Sequence, residues 1–335
     1  MLVVYDQHFA GHLRGIAHPE SPQRVEAIAR FLRARGDCAF MGARDASDAE
    51  IERVHEAGYV DLVRTEVAAV GGHAAYLSTG DTVVDEHSFA AARRAAGGAI
   101  VAVENAIDRQ TACFAVVRPP GHHAEPATGM GFCIFNNAAI AARAAQAQHG
   151  LRTLIVDFDY HHGNGTQAAI GGGVSYVSTH AYPAYPGTGS AAENAVLAGG
   201  DQIANVPLPP HAFGTEAFIA LWERLLPEVA RRVRPDLLIV SAGFDYVAGD
   251  PVGDLGVDVS AAGALAATIN ATAQEYCDGR VAYVLEGGYD LNALQTSVGE
   301  IVAAHNAGKT ESSGAAEEAI PVHQRSVLEA LRALN

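Results

Sequence analysis

The segment Thr153-Leu-Ile-Val-Asp157-Phe-Asp159-Tyr-His161-His-Gly-Asn164-Gly165 runs an apolar stretch straight into a polar cluster. Residues 153–158 read as a buried strand, being short, apolar and stopped by a glycine-rich turn. At its end Asp157, Asp159 and His161 take alternate positions, and alternate side chains of an extended backbone point the same way. The same order recurs three times. Residues 112–117 lead into Arg118-Pro-Pro-Gly-His-His123, 237–241 into Ser241-Ala-Gly-Phe-Asp245, and 281–285 into Glu286-Gly-Gly-Tyr289. Further strands are expected at 2–5, 174–178 and 203–206. Helical patterns occupy 22–35, 88–107, 138–148, 215–232, 261–276 and 291–304, the first opened by Ser21-Pro22 as N-cap and first helical residue. This alternation predicts an α/β protein with a parallel sheet covered on both faces. In such sheets ligands sit beyond the carboxyl ends of the strands, where all four polar clusters fall.

The chain has 335 residues, 49% hydrophobic and 18% charged, which suits one large globular domain. No repeat or internal boundary appears before the polar, small-residue stretch 308–318. The reading is therefore a catalytic domain over 1–307, then a linker and a C-terminal helix (322–334) within 308–335. A formal net charge of −16 disfavours nucleic acid and anionic membranes as partners. It suits solubility, or attraction of cationic substrates. Lys309 is the only lysine. No uncharged apolar run approaches the roughly 18 residues of a membrane span. The N-terminus lacks a basic n-region followed by an apolar h-region and reads as a strand. Cys38, Cys113, Cys133 and Cys277 are scattered and form no C-x-x-C pair, which fits a reducing cytoplasm.

Asp159 and His161 suit a borderline metal such as zinc, with iron, cobalt and manganese as competitors. Asp245, from another strand end, is the natural third ligand, and three protein ligands leave one position open. An isolated D-x-H is more often a surface or capping feature. The convergence of Asp157, Asp245, His122 and His123 on the same rim favours a metal site. His122-His123 follows a rigid Pro-Pro-Gly turn and can supply the base and acid that amide hydrolysis needs. Asp157 is a candidate partner for one ring and the neutral amide of Asn164 for the other, whereas His162 reads as structural. Tyr289, past two glycines, can reach over the metal and donate to an oxyanion. Tyr182-Pro-Ala-Tyr185-Pro-Gly-Thr-Gly189 reads as a rigid pocket wall or a packed connection.

Together these segments resemble the zinc-dependent histone deacetylase and acetylpolyamine amidohydrolase family, over most of the chain from His18-Pro-Glu20 to Tyr289. The motifs carrying the resemblance are R-P-P-G-H-H, G-F-C-x-F-N-N, D-x-D-x-H-H-G-N-G, P-G-T-G, S-A-G-F-D and E-G-G-Y. The resemblance implies a single-domain, three-layer αβα arginase–deacetylase fold with a mostly parallel central sheet of about eight strands. It implies zinc on Asp159, His161 and Asp245, and Tyr289 at the transition state. It makes His123 the base and leaving-group acid and His122 electrostatic. Gly131 and Phe132 match the tunnel lining, Tyr185 its opposing wall, and Arg24 an arginine at its inner end. A structural monovalent cation, usually potassium, is implied near Asp157, Asp159, His161, Ser178 and Thr179. Asn164 resembles class II enzymes and bacterial amidohydrolases, where class I has aspartate. Val252 stands where a polyamine-selective relative has a glutamate gatekeeper, leaving Asp81, Asp85 and Glu86 as substitute carboxylates.

The expected activity is hydrolysis of an N-acyl, mainly acetyl, amide of acyl-lysine or a small acylated amine. The alternatives are an acetylpolyamine-specific amidohydrolase, a two-manganese ureohydrolase of the arginase type, or a non-catalytic acyl-amine binding protein. Family members form dimers and tetramers, so a homo-oligomer is in keeping with the resemblance.

Overall fold

In the computed structural model, which describes residues 1–334, the apolar segments pair into one nine-stranded sheet. Across it run β2 (Ala39–Met41), β1 (Leu2–Val4), β5 (Ala112–Ala115), β11 (Val281–Leu285) and β10 (Leu237–Ala242). The order continues through β6 (Thr153–Asp157), β7 (Val174–Ala181), β9 (Gln202–Leu208) and β8 (Ala195–Val196). Every neighbouring pair is parallel except β8 on β9. A separate antiparallel ribbon joins β3 (Ala75–Tyr76) to β4 (Val83–Val84).

Among the described residues ten α-helices complete the fold: α1 (Pro22–Arg35), α2 (Asp48–Ile51), α3 (Ala57–Val70), α4 (Ser88–Arg109), α5 (Asn137–His149), α6 (Asn164–Ala168), α7 (Thr215–Val233), α8 (Ala261–Tyr276), α9 (Leu291–Asn306) and α10 (Val322–Ala333). One group packs α4 on α5; the other runs α1, α9, α8, α7 in series. With the sheet between them they make the three-layer αβα arrangement. Asn136 caps α5 by accepting from the Ala139 amide, and Asp290 caps α9 through Asn292 and Ala293. Ser21 has the extended conformation of an N-cap but its side chain makes no capping bond, so Pro22 opens α1 without it.

The strands β5, β11, β10 and β6 lie side by side at the centre, and every residue in them is buried. Burial on both faces explains their unbroken apolar sequence. The chain passes from β5 to β6 leaving a gap of two strands, which β10 and β11 later fill. That gap is where the sheet's winding diverges, and all four polar clusters open onto it.

The sheet exceeds the strands expected from sequence by β2 and β8, both at its edges and only partly buried. Strands of two or three residues with no alternating pattern carry too little signal to be read. The segment 309–316 is neither helix nor strand, and α10 buries Val327, Leu328 and Leu331, with Gln324 donating to the Pro207 carbonyl at 2.9 Å. Among the described residues no helix is long and apolar enough to cross a membrane.

Candidate metal centre and active site

Register brings the strand ends to one level: Asp157 pairs with Ser241 and Ser241 with Val284. One ligand atom each from Asp159, His161 and Asp245 then lies within 4.8 Å of the others. His161 Nδ1 is 2.9 Å from Asp245 Oδ2 and 3.3 Å from Asp159 Oδ1. Backbone amides hold the carboxylates in place. His161 and Gly287 N–H donate to the two oxygens of Asp159, each at 2.9 Å, and Tyr160 N–H donates to Asp245 Oδ1 at 3.0 Å.

Asp245 Oδ2 is buried, and although His161 Nδ1 lies 2.9 Å away the pair does not form an aligned hydrogen bond, so this oxygen is left without one. Burial, reinforced by the charge of Asp159, pushes the Asp245 carboxyl up to about 6. Burial opposes the charged form of His161, but the two carboxylates outweigh it and lift the imidazole to about 9. Crowded oxygens around one nitrogen, one of them orphaned, are costly without a cation, and this donor set fits a borderline dication. The glycines beside it are sterically required. A Cβ at Gly243 would lie 1.8 Å from Asp159 Oδ2, and one at Gly287 would lie 2.7 Å from both Asp159 Oδ2 and Asp245 Oδ2.

The tandem histidines sit against this cluster with ring centroids 4.1 Å apart, and both are buried. Their partners differ. His122 Nδ1 meets Asp157 Oδ2 at 3.2 Å, and its Nε2 is 3.8 Å from Asp159 Oδ1. His123 Nδ1 meets the neutral Asn164 Oδ1 at 2.8 Å. Burial disfavours charge on both rings. For His122 the charges of Asp159 and Asp157 reverse that and hold it at about 10, whereas His123, further depressed by the neighbouring His122 charge, lies well below the usual imidazole value. Two adjacent histidines are thus given opposite protonation preferences.

The turn carrying them is gripped by Glu286. Its Oε2 accepts from the Gly121 and His122 amides at 2.7 and 3.1 Å, and Oε1 accepts from Ser241 Oγ at 3.2 Å. Burial raises this carboxyl to about 7. Sequence reasoning placed Glu286 in a loop but missed this grip, because it needs the adjacency of β11 and β5.

These groups open into a cavity of about 330 Å³. His122, His123, His161, Gly287 and Tyr289 line the end beside the candidate metal centre, and Asp81, Gly131, Phe132, Tyr185 and Val252 line the rest. Tyr289 meets Phe132 edge-on at 5.9 Å, and burial keeps its phenol protonated. Arg24 does not line the cavity. It lies behind Tyr289 with its guanidinium carbon 4.8 Å from the ring centre, donating to Gly288 O, Glu286 O and Glu20. Of the three candidate carboxylates only Asp81 reaches the cavity, accepting from Gly131 N–H at 2.8 Å and from the Tyr185 hydroxyl at 3.0 Å. Asp85 is spent on Leu13 N–H and Ser88, and Glu86 faces solvent.

Asp250 was also not foreseen. One oxygen accepts from Val252 and Gly253 N–H, the other from Tyr289 and Asp290 N–H, so one carboxylate ties two wall loops together. The Asp-Pro dipeptide suggests a turn, but its second set of partners lies about 40 residues away, beyond sequence reach. Beneath the histidines, Asp157 is the register partner of Ser178, whose hydroxyl meets His180 Nδ1 at 2.8 Å. Thr179 Oγ1 is buried without a partner. His162 is buried between Thr188 and Gln167, away from the cavity lining.

Residues 18–305 match the family model of the histone deacetylase domain. The chain is 37% identical over 305 residues to "Histone deacetylase 15" of Arabidopsis thaliana, covering 88% of this chain and 54% of that protein. It is 37% identical over 294 residues to "Polyamine deacetylase HDAC10" of Homo sapiens, covering 83% and 43% respectively. The chain thus spans about half the length of these two relatives. Among solved structures, the HDA15 HD domain superposes with a TM-score of 0.84 at 32% identity, covering 98% of this chain and 92% of that one. With this fold and this cavity, the chain belongs to the histone deacetylase family and has the arginase–deacetylase fold.

Proposed function

We propose that the protein is a zinc-dependent amidohydrolase that removes an acyl group, mainly acetyl, from acyl-lysine or a small acylated amine. The carrying observation is the pair of adjacent histidines with unlike partners, beside the Asp159–His161–Asp245 convergence, at the reactive end of one cavity. Asp159, His161 and Asp245 would hold a dication, whose chemistry there would be to polarise the acyl carbonyl and to lower the pKa of a water. The rest falls to the chain. His123, neutral and with Nδ1 engaged, receives the water's proton at Nε2 and passes one to the departing amine. His122, positively charged against Asp157, stabilises negative charge at the carbonyl oxygen. Tyr289 donates its hydroxyl to that oxygen as it becomes an oxyanion. Phe132 and Tyr185 enclose the linear chain of the substrate.

We assign a structural monovalent cation, usually potassium in this family, to the neighbourhood of Asp157, Asp159, His161, Ser178 and Thr179; the orphaned Thr179 Oγ1 supports it. The catalytic unit is proposed as 1–307, with 308–335 as linker and helix on the same domain, in a cytoplasmic protein.

Val252, apolar and on the cavity wall, favours acyl-lysine narrowly over acetylpolyamines. The competing acetylpolyamine reading draws support from Asp81 at the cavity and from the relative named a polyamine deacetylase. One panel tests both: metal content per chain, and turnover of acetyl-lysine peptides, longer acyl-lysines, acetylputrescine and acetylspermidine. About one zinc per active chain with acetyl-lysine ahead is the expected result. A large acetylpolyamine preference reverses the ranking, and two manganese ions per active chain would replace the proposal by a ureohydrolase.

A further inference from the structure

The tandem histidines differ in how firmly their partners dictate which ring nitrogen carries hydrogen. Asp157 offers His122 a carboxylate oxygen, and rotating a carboxylate by half a turn changes nothing. Asn164 offers His123 a side-chain amide, whose oxygen and nitrogen ends are alike in size and opposite in polarity. Turned one way, Oδ1 accepts from His123 Nδ1–H and leaves Nε2 with its lone pair. Turned the other way, the amide donates to Nδ1 and the proton moves to Nε2, so the free nitrogen cannot act as a base. Something has to choose.

Asn164 Nδ2 lies 2.8 Å from Glu125 Oε1 and 3.3 Å from Met130 Sδ. Both are acceptors facing the donor end of the amide, and the reversed orientation would set Oδ1 against them, lone pair to lone pair. Glu125 is itself fixed. Its N–H donates to Thr128 O at 3.0 Å, and its carbonyl accepts from His55 Nδ1 at 3.0 Å. His55 is in turn oriented by the Asn136 N–H, which donates to its Nε2 at 2.8 Å.

We propose that Glu125 is a positioning residue that sets the tautomer of His123 through the side-chain amide of Asn164. This inference rests on the reading of His123 as the base. Glu125 touches neither cavity nor ligand set; it acts only through the amide.

The test is a double-mutant cycle on metal-loaded enzyme, combining Glu125→Ala and Glu125→Gln with wild-type and Asn164→Asp backgrounds. Steady-state kinetics are read alongside ring 15N shifts of His123 in the resting enzyme, identified by their loss in His123→Ala. Glu125→Ala is expected to lower kcat about tenfold with KM nearly unchanged, and to shift hydrogen from Nδ1 towards Nε2 of His123. Glu125→Gln still presents an oxygen to Asn164 and should stay within about threefold of wild type. With Asn164→Asp the partner can no longer be reversed and would face Glu125 as a like charge, so Glu125→Ala there should cost nothing or restore activity. Equal losses in both backgrounds, or unchanged His123 shifts in Glu125→Ala, would overturn the proposal. Should no acyl-amide be turned over, the functional reading fails by itself, while the ring shifts still decide the role of Glu125.

Discussion

The reactive end of the cavity and its mouth are built in different ways. Asp157, Asp159, Asp245 and His122 are all buried and sit at the ends of the central parallel strands; backbone amides or Tyr176 hold both oxygens of Asp157 and Asp159 and one oxygen of Asp245. Asp81, Phe132, Tyr185 and Val252 come from four separate loops, Phe132 at a positive φ of 68° and Tyr185 38% exposed. A strand in mid-sheet cannot slip by one residue without turning its whole side-chain set over, so the reacting groups hold their spacing. A loop residue can change without moving a ligand. Under the proposed function, the comparison teaches that reaction type would be anchored in the sheet while substrate choice would be carried by the rim.

The largest effect should come from disturbing the sheet-borne end. Asp245→Ala is expected to lose bound metal and to reduce kcat/KM more than about 1000-fold. Gly243→Ala keeps every ligand yet should do the same, because its methyl would occupy the space of Asp159 Oδ2. Elemental analysis of both purified variants checks this; full metal content in Gly243→Ala would break the argument from close approach.

Next in size, Tyr289→Phe should lower kcat about a hundredfold or more while metal content and Tm stay at wild-type values. Phenylalanine keeps the packing on Phe132 and Arg24, so only the hydroxyl is lost. An unaltered kcat would remove Tyr289 from the oxyanion role.

At the mouth, Val252→Glu should raise the kcat/KM ratio of acetylspermidine over an acetyl-lysine peptide about fivefold, as one partly exposed ion pair allows. Metal content should not change. A fall in both activities together would mean that rim and reactive end are not separable, and Asp250, tied to both loops, would be the place to look.

The smallest effect concerns the support behind the mouth. Burial lowers His55 to about 4 and outweighs the bond to the Glu125 carbonyl, which favours the charged ring; the neutral ring donates to Glu125 O and accepts from Asn136 N–H. The unfolded chain takes up this proton near 6.5 and the folded chain only near 4, so the unfolded state binds more protons in between. Stability is therefore expected to fall as pH drops from about 6.5 towards 4, and less steeply in His55→Gln. Thermal unfolding across that window reads it, and a slope unchanged in the variant would assign the loss to other buried histidines such as His305, also lowered to about 4 by burial.

The central strands and the long helices were legible because each is a sustained apolar pattern with clear ends. The edge strands β2 and β8 and the β3–β4 ribbon were not, being two or three residues each and half solvated. Within the site, Asp159 and His161 could be paired from their alternate spacing, and Asn164, in the same segment, could be offered as a partner to one of the tandem histidines. Glu286, Asp250 and Glu125 could not be given their partners, because a glutamate or aspartate in a loop looks the same whether it faces water or accepts from groups inside the fold. Arg24 was read at the inner end of the tunnel, and the structure sets it behind Tyr289, its donors spent on the backbone of that loop.

By itself the sequence determined that the polar clusters proposed to carry the chemistry follow strands, because local periodicity and turn residues act over a few positions. Only the tertiary structure decided which strand ends become neighbours. β10 and β11 arrive late in the chain and enter the gap between β5 and β6, and that insertion brings Asp245 and Tyr289 to Asp159 and the two histidines. Side-chain polarity is a property of a residue, whereas partners across a hundred positions are a property of packing.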